Sequence, residues 1–310
     1  MNVAVTGSSG YLGRLLVGRL AREPSVKAIL GLDISTAPPH PKLVQRQADL
    51  RRTDFSSLLR RIDLLYHLAF VVSPPRQRLS EAAVDAINIE GTRRVVQGAI
   101  VAGVKKIIYA SSIVAYGAHP DNPPLLTEES PLRSNRDWYY SRAKGAVEQL
   151  LERLATEHPA ICIIRLRPDS FVGPTATHAM ARMVRLPVLL TVAPNLKLSF
   201  TWDEDTVEGF WLAAQHHRSD VFNLTGDNPI DTREIGRRLK RPVLALDRRR
   251  VCPLLHLAQR LGVVDPMQTQ WVEIAPRGPM VASSQKARQV LGWTPKFDSP
   301  GALQALVART

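Results

Sequence analysis

Cysteine is scarce in this 310-residue chain, which has only Cys162 and Cys252. Two thiols cannot build a disulfide scaffold. Each reads as a buried apolar residue in a reducing compartment, which points to the cytoplasm. No apolar run approaches the roughly 20 residues that a membrane helix needs, so no membrane partner is expected. The first strand-like run begins at Asn2, leaving no room for a signal peptide ahead of it. Internal repeats and low-complexity tracts are also missing. Acidic side chains are in deficit: 28 Asp+Glu against 41 Lys+Arg leave a formal charge of +13. Such an excess attracts polyanions. The basic clusters Arg237-Arg238-Leu239-Lys240-Arg241 and Arg248-Arg249-Arg250 have no interleaved aromatic residues to stack bases, so no specific nucleic-acid partner is expected. A solvated arginine-rich surface, or a field that draws in phosphorylated ligands, accounts for the charge equally well.

What is present is the composition of an ordinary globule, 45% apolar and 22% charged. The length suits one large α/β domain or a nucleotide domain with a smaller companion. Short apolar runs at Asn2–Thr6, Ala28–Asp33, Leu43–Asp49, Ile62–Ala69, Lys106–Ser112 and Ile161–Arg167 read as strands. Segments of helical periodicity separate them: Tyr11–Glu23, a long stretch from Leu79 to Gly103, and Asp137–Glu157. Near-continuous apolar strands alternating with helices predict an α/β fold, a doubly wound parallel sheet covered on both faces. After Gly173-Pro174 the rhythm is lost, Val221–Thr225 being one more core strand. The expected division is a nucleotide-binding domain of residues 1–174 plus about 199–226, and a smaller irregular lobe of about 175–198 plus 227–310. Arg133–Arg136 is polar and expected at the surface.

Gly7-Ser8-Ser9-Gly10-Tyr11-Leu12-Gly13 follows the first strand and opens a helix. There a diphosphate meets backbone N–H groups and the positive end of the helix dipole, and glycine lets the backbone approach it. Asp33 ends the next strand, where a carboxylate accepts hydrogen bonds from both ribose hydroxyls and repels a 2′-phosphate, favouring NAD over NADP. The plainer role for Asp33 is a cap before Ser35. Arg51 and Arg52 would admit NADP only by folding toward Asp33.

Tyr140 and Lys144 lie at i and i+4, so a helix presents both on one face. A phenol titrates near pH 10. A neighbouring ammonium, with a nicotinamide cation, stabilises phenolate, and bringing it into the working range needs roughly 4 kcal/mol. Ser111 and Ser112 end a predicted core strand, beyond whose carboxyl end ligands of open parallel sheets lie. Ser112 could orient a reacting oxygen while Tyr140 transfers the proton. A helix-cap or turn role suits Ser111 better than Ser112.

Together these residues resemble the extended short-chain dehydrogenase/reductase superfamily, in its branch of NAD-dependent epimerases and dehydratases. Further matches run along almost the whole chain: Ala48-Asp49-Leu50, His67-Leu68-Ala69, Asn88-Ile89-Glu90-Gly91-Thr92, Ala115-Tyr116-Gly117, Arg167-Pro168, Val172-Gly173-Pro174, and a closing segment with Leu291-Gly292-Trp293 and Pro295. The resemblance implies NAD as cofactor, held by Gly7, Gly10, Tyr11, Leu12, Gly13, Asp33 and Ser111. It places Asp49 and Leu50 at the adenine edge, and Leu68, Ala69 and Phe70 along the wall over the ribose and pyrophosphate. Asn88 would support the strand bearing the nicotinamide, Lys144 would bond its ribose, and the backbone near Pro168 would face its carboxamide. Ser112, Tyr140 and Lys144 would be catalytic. A homodimer built on segments 79–103 and 137–157 is also implied.

The chain departs from the family pattern where substrate is held. Ser170 stands where sugar-nucleotide enzymes usually have Asn, and Trp202 replaces a common His. Asp205-Thr206-Val207-Glu208 sits where the family often has paired aspartates, with a capping box as the alternative. His178, Met180, Met183, Leu186, Val188, Leu189 and Leu190 suggest an apolar pocket wall or the packing of the lobe core. Arg182 and Arg185 are candidates to clamp a diphosphate. The expected function is hydride transfer between NAD and a secondary alcohol or ketone, a nucleotide sugar being one candidate, with a slight preference for epimerase/dehydratase chemistry. Ile113 stands where a dehydratase normally has an acid, which discounts dehydration. A net reductase or dehydrogenase of a less polar substrate comes next, and a non-enzymatic NAD-responsive regulator is the reading from another class. No metal is expected.

Overall fold

The computed structural model describes residues 1–72, 80–176, 179–264 and 266–308. The apolar runs become strands β1 (Asn2–Thr6), β2 (Ala28–Asp33), β3 (Leu43–Gln47), β4 (Leu64–His67), β5 (Lys106–Ala110) and β6 (Cys162–Pro168). Helices α1 (Tyr11–Ala21), α2 (Phe55–Leu58), α3 (Glu81–Asp85), α4 (Gly91–Ala102) and α5 (Tyr139–Glu157) lie between them. The fourth strand starts two residues later than its apolar run because the Ile62 amide closes a turn on the Leu59 carbonyl. Leu79, the expected start of the long helix, lies outside the described residues. Ser80 caps α3 there, its hydroxyl accepting from the Ala83 amide. The helix then widens into a π turn at Ala86–Glu90 before α4, and ends at Gly103 in the left-handed region, φ 79°.

The chain continues through β7 (Ser170–Val172), α6 (Ala179–Met183), β8 (Leu189–Thr191), β9 (Phe200–Trp202), α7 (Asp203–Ala213) and β10 (Asp220–Leu224). It closes with α8 (Thr232–Leu239), β11 (Val243–Ala245), α9 (Arg248–Arg260), α10 (Pro266–Ile274), α11 (Gln285–Leu291) and α12 (Ser299–Ala308). Seven parallel strands form one sheet in the order β10-β6-β5-β4-β1-β2-β3. Its direction of growth reverses between β1 and β4, and a crevice opens beyond their carboxyl ends at such a switch point.

Side chains alternate across this sheet. Val3, Val5, Ile108 and Ile164 face one layer with α1 and α7, whereas Ala4, Ile107, Tyr109 and Ile163 face the other with α4 and α5. Both faces are buried, so the strands read as unbroken apolar runs. A separate core joins β7, β9, α8 and α12 through Val172, Phe200, Trp202, Ile235 and Leu303. Val184 and Leu189 belong to it, while Leu186, Val188 and Leu190 point to the exterior. The apolar run of residues 180–190 therefore splits between lobe core and surface. His178 lies outside the described residues.

Three sequence expectations change. The capping box at Asp205–Glu208 does not form, because α7 already begins at Asp203. The Asp205 carboxylate instead accepts from the Lys296 amide at 2.8 Å, and Glu208 pairs with Arg19. Cys162 and Cys252 are half-buried free thiols rather than core residues. The segment Arg133–Arg136 is not simply a surface loop: Asn135 is buried and its Oδ1 accepts from the Ala118 amide at 2.7 Å.

The closing segment is tied to α7 by Trp293, which is buried and donates from Nε1 to the Asp205 carbonyl at 2.7 Å. Trp293→Ala should destabilise the protein by about 3–5 kcal/mol. Trp293→Phe, which keeps most of the ring but loses the bond, should cost a small fraction of that, about 1 kcal/mol from the lost bond itself. Urea unfolding of the two variants checks the ordering.

Candidate active site

The turn after β1 explains two of its three glycines by itself. Gly7 has φ 72°, and a Cβ there would sit 2.7 Å from the Ala69 amide nitrogen. A Cβ on Gly13 would overlap the Gly7 carbonyl oxygen. Gly10 is different: its φ is −69° and the nearest atom to an added Cβ is the Gly7 oxygen at 3.3 Å. The fold tolerates a side chain there more readily than a ligand lying against the loop would. Gly10 is also the N-cap of α1, with no side-chain cap and no acidic residue in the first turn. A helix start that no side chain caps suits a diphosphate, so these residues fit a dinucleotide.

Asp33 stands beside this turn. Its carboxylate accepts from the Ser9 amide at 2.9 Å and the Ser35 amide at 3.1 Å. It therefore caps Ser35 and also borders the glycine loop, so the two sequence readings are compatible. Arg51 turns away from Asp33. Its guanidinium bonds Asp49 at 2.7 Å, and that hydrogen bond holds the Asp49 carboxyl below the usual range. Leu50 is buried beneath Gly91. The Tyr11 ring stacks on Phe171 and its hydroxyl donates to Asp203 at 2.5 Å, while Leu12 and Leu68 pack against the sheet core.

Across the crevice, Ala69 and Phe70 follow β4. Asn88 holds the segment just beyond them through its amide side chain, accepting from the Val71 amide at 2.8 Å and donating to the Val71 carbonyl at 2.9 Å. The π turn lets this buried side chain also reach the Tyr139 hydroxyl. Two-point pairing fixes the backbone that carries Phe70. His67 beneath is held neutral by burial, its pKa pushed down to about 3, between the hydroxyls of Thr6 and Thr92.

Tyr140 and Lys144 occupy successive turns of α5. The Lys144 Nζ donates to the Ala110 carbonyl at 2.6 Å and to the Tyr109 hydroxyl at 3.2 Å, and lies 3.6 Å from the Phe70 ring centroid. Burial lowers its pKa to about 7, opposed by the nearby Glu148 carboxylate. Tyr140 is half-buried, edge-on to Phe70 at 5.8 Å and to Trp138 at 6.3 Å. Burial pushes its phenol up to about 12, and a hydrogen bond with Ser112 works the other way. The Ser112 hydroxyl also donates to the Pro168 carbonyl and accepts from the Val114 amide, both at 3.4 Å. Capping thus falls to Ser112 rather than Ser111. The Ser111 amide continues the sheet by donating to the Leu166 carbonyl at 2.7 Å.

Two supports were not anticipated. Glu148 is fully buried and receives both Nε and Nη2 of Arg167, at 2.7 and 2.9 Å. Its i+4 spacing from Lys144 was the available signal. Asn135 and Ser141 seat the start of α5: the Asn135 backbone amide donates to the Ser141 hydroxyl, which donates in turn to the Val114 carbonyl. The expected diphosphate clamp also changes, because Arg185 spends its guanidinium on the carbonyls of Gly173, Pro174 and Ala176. A 590 Å³ cavity between Met1, Leu64, Lys106 and Cys162 lies at the amino ends of the strands and has none of these residues on its wall.

A parallel sheet in this order, with a glycine turn and a Tyr/Lys helix meeting at its switch point, defines a dinucleotide-binding protein of the extended short-chain dehydrogenase type. The chain belongs to the NAD-dependent epimerase/dehydratase family, whose pattern it matches over residues 3–225. The cofactor of this family is NAD. Uncharacterised mycobacterial relatives, including one of Mycobacterium tuberculosis, are 24% identical over 73% of the chain, and the match spans 62% of their own length. A 3-diazoavenalumate denitrifying reductase of a Streptomyces species is 27% identical, covering 96% of this chain and 97% of its own. A 3-beta-hydroxysteroid dehydrogenase of Mycolicibacterium neoaurum is 26% identical over 97% of this chain and 89% of that protein. The fold is that of UDP-glucuronic acid 4-epimerase from Bacillus cereus in complex with NAD, at TM-score 0.76 and 19% identity over 100% of this chain and 98% of that one.

Gly10→Ala should leave the melting temperature within a few degrees yet weaken NAD binding at least tenfold by titration calorimetry, whereas Gly13→Ala should disrupt the fold itself. Asp169, buried between β6 and β7, has its carboxyl raised to about 6 by burial. The folded protein therefore binds this proton more tightly than the unfolded chain does. The stability it contributes is full below pH 4 and lost as pH rises through about 6. Asp169→Asn should flatten stability between pH 4 and 6, as measured by urea unfolding across that range.

Proposed function

We propose that this protein is an NAD-dependent dehydrogenase or reductase acting on a secondary alcohol or ketone, with net rather than returned hydride transfer. Tyr140, Lys144 and Ser112 are the catalytic residues in this reading. One observation carries the hydride-transfer chemistry: the phenol, the ammonium and the Ser112 hydroxyl converge beyond the carboxyl end of β5, against the Phe70 ring and across from the glycine turn. NAD supplies the acceptor or donor of hydride when bound. Ser112 orients the substrate oxygen. Tyr140 gives a proton from its Oη to a ketone oxygen, or takes one from an alcohol. Burial keeps the phenol protonated at neutral pH, the form that serves reduction. In the oxidising direction Lys144, in its ammonium form, stabilises the phenolate. Residues 175–198 and 227–310 form the substrate side, the remainder the nucleotide side.

The substrate is a less polar molecule than a sugar nucleotide. Trp138 and Phe70 flank the phenol, and Trp271 packs on Trp138 at 5.6 Å between ring centroids. Ser170 offers a shorter side chain than the Asn of sugar-nucleotide enzymes, and Arg185 is committed to backbone carbonyls. The reductase and steroid dehydrogenase named above, which align with nearly the entire chain, support the same direction. This reading differs from the slight preference for epimerase/dehydratase chemistry drawn from sequence. Internal hydride return on a nucleotide sugar is the second reading, favoured by structural neighbours such as the epimerase bound to UDP-glucuronic acid and NAD.

Tyr140→Phe should lower turnover by at least about a thousandfold, within the range general acid–base catalysis supplies, while NAD affinity stays within a few-fold. Stopped-flow absorbance at the reduced-nicotinamide band, with apolar ketones and UDP-sugars as separate panels, reads both. Surviving turnover in the variant would place the proton donor elsewhere. Turnover of UDP-sugars without net change in that band would favour the epimerase reading.

A further inference from the structure

Helix α9 has no buried residue along its 13 positions. One side, carrying Val251, Cys252, Leu255 and Ala258, is half-covered, and α10 lies against the helix. There the Arg248 guanidinium donates to the Glu273 carbonyl at 3.0 Å and His256 faces the Glu273 carboxylate at 3.3 Å. The opposite side carries leucines at i, i+3 and i+7. Leu254 is 66% exposed, Leu257 55% and Leu261 69%, and Val263 just beyond the helix is 65% exposed. Scattered exposed leucines are ordinary, but a continuous stripe on one helix face is not. Arg249 and Arg250 flank the stripe at its amino end, exposed like the leucines.

We propose that this face is a docking surface for an anionic lipid bilayer, the helix lying in the plane of the interface with its leucines inserted and its arginines on the headgroups. An apolar stripe bordered by arginine suits that environment. Charge selects the occupant. A second copy of this chain would set the same arginines against each other in a molecule of formal charge +13, whereas anionic headgroups neutralise them. The lipid surface meets both halves of the helix, its apolar face and its basic end. The position of the helix gives docking a purpose. Its partner α10 carries Trp271 and Ile274, which pack with Trp138 beside the phenol of Tyr140. The bilayer would therefore lie one helix layer from the proposed reaction site, on the side from which an apolar substrate partitions. The sequence predicted no membrane partner because it contains no spanning run. A short interfacial helix needs none, and no described helix is long and apolar enough to cross a bilayer.

The test is sedimentation of this protein with vesicles, which reads docking without reference to turnover. Vesicles of phosphatidylcholine with phosphatidylglycerol should carry the protein down, and phosphatidylcholine alone should carry at least tenfold less. The combined change Leu254→Ser, Leu257→Ser and Leu261→Ser should reduce binding to the anionic vesicles at least tenfold, with circular dichroism and melting unchanged. Arg249→Glu with Arg250→Glu should weaken binding comparably and reduce its salt dependence. No binding of the wild-type protein to anionic vesicles would overturn the proposal. Binding undiminished by the leucine changes would mean bulk charge attraction and would also overturn it. So would a dimer in sedimentation velocity that those changes dissociate while neither form binds vesicles, since the face would then belong to a second copy.

Discussion

The arrangement depends on one lysine kept where water is nearly excluded. An ammonium group is costly to bury, and the cost appears as the depressed pKa of Lys144. The surroundings answer it with the Ala110 carbonyl, the Tyr109 hydroxyl and the face of Phe70. Glu148, one turn further along α5, adds negative charge and is itself balanced by the forked grip of Arg167. A carboxylate left in that position without Arg167 would be an uncompensated buried charge. The pair therefore holds together the helix that presents Tyr140 and the strand that ends at Pro168.

Around this charge, a small number of polar side chains convert sheet geometry into site geometry. Asn88 pins the backbone beyond Phe70, Asn135 and Ser141 seat the amino end of α5, and Asp33 binds the glycine turn to the end of β2. Each bonds main-chain groups of a neighbouring loop. Loops held this way repeat the precision of the strands from which they emerge, which the proposed proton transfer requires over distances of about 3 Å. The C-terminal lobe is built differently. Its core is small, and much of its apolar surface remains outside, including Leu186, Leu190 and the stripe on α9. The proposed substrate side and the proposed lipid contact both fall on that lobe.

Much of this was legible in the chain because its signals are local. Seven apolar runs became the seven strands of the main sheet, and Gly7 and Gly13 stand where backbone and packing forbid a Cβ. Periodicity also put Tyr140 and Lys144 on one face of α5. The boundaries were less secure. The apolar pattern continues through the π turn at Asn88 without a mark, since widening a helix by one residue alters direction more than composition.

Sequence alone determined the alternation of strand and helix, the glycine turn after the first strand, and the Tyr/Lys spacing, because each follows from the conformational and burial preferences of residues close together in the chain. Tertiary structure decided what polar groups do with their bonds. Arg51 faces Asp49 and not Asp33, Arg185 serves three carbonyls, Asp205 holds the closing segment, and Asn135 is buried in a stretch that reads as surface. A charged or amide side chain takes whichever partner folding brings within 3 Å, and residues distant in sequence supply that partner. For the same reason the leucines of α9 could be recognised as exposed only after the rest of the lobe had packed without them.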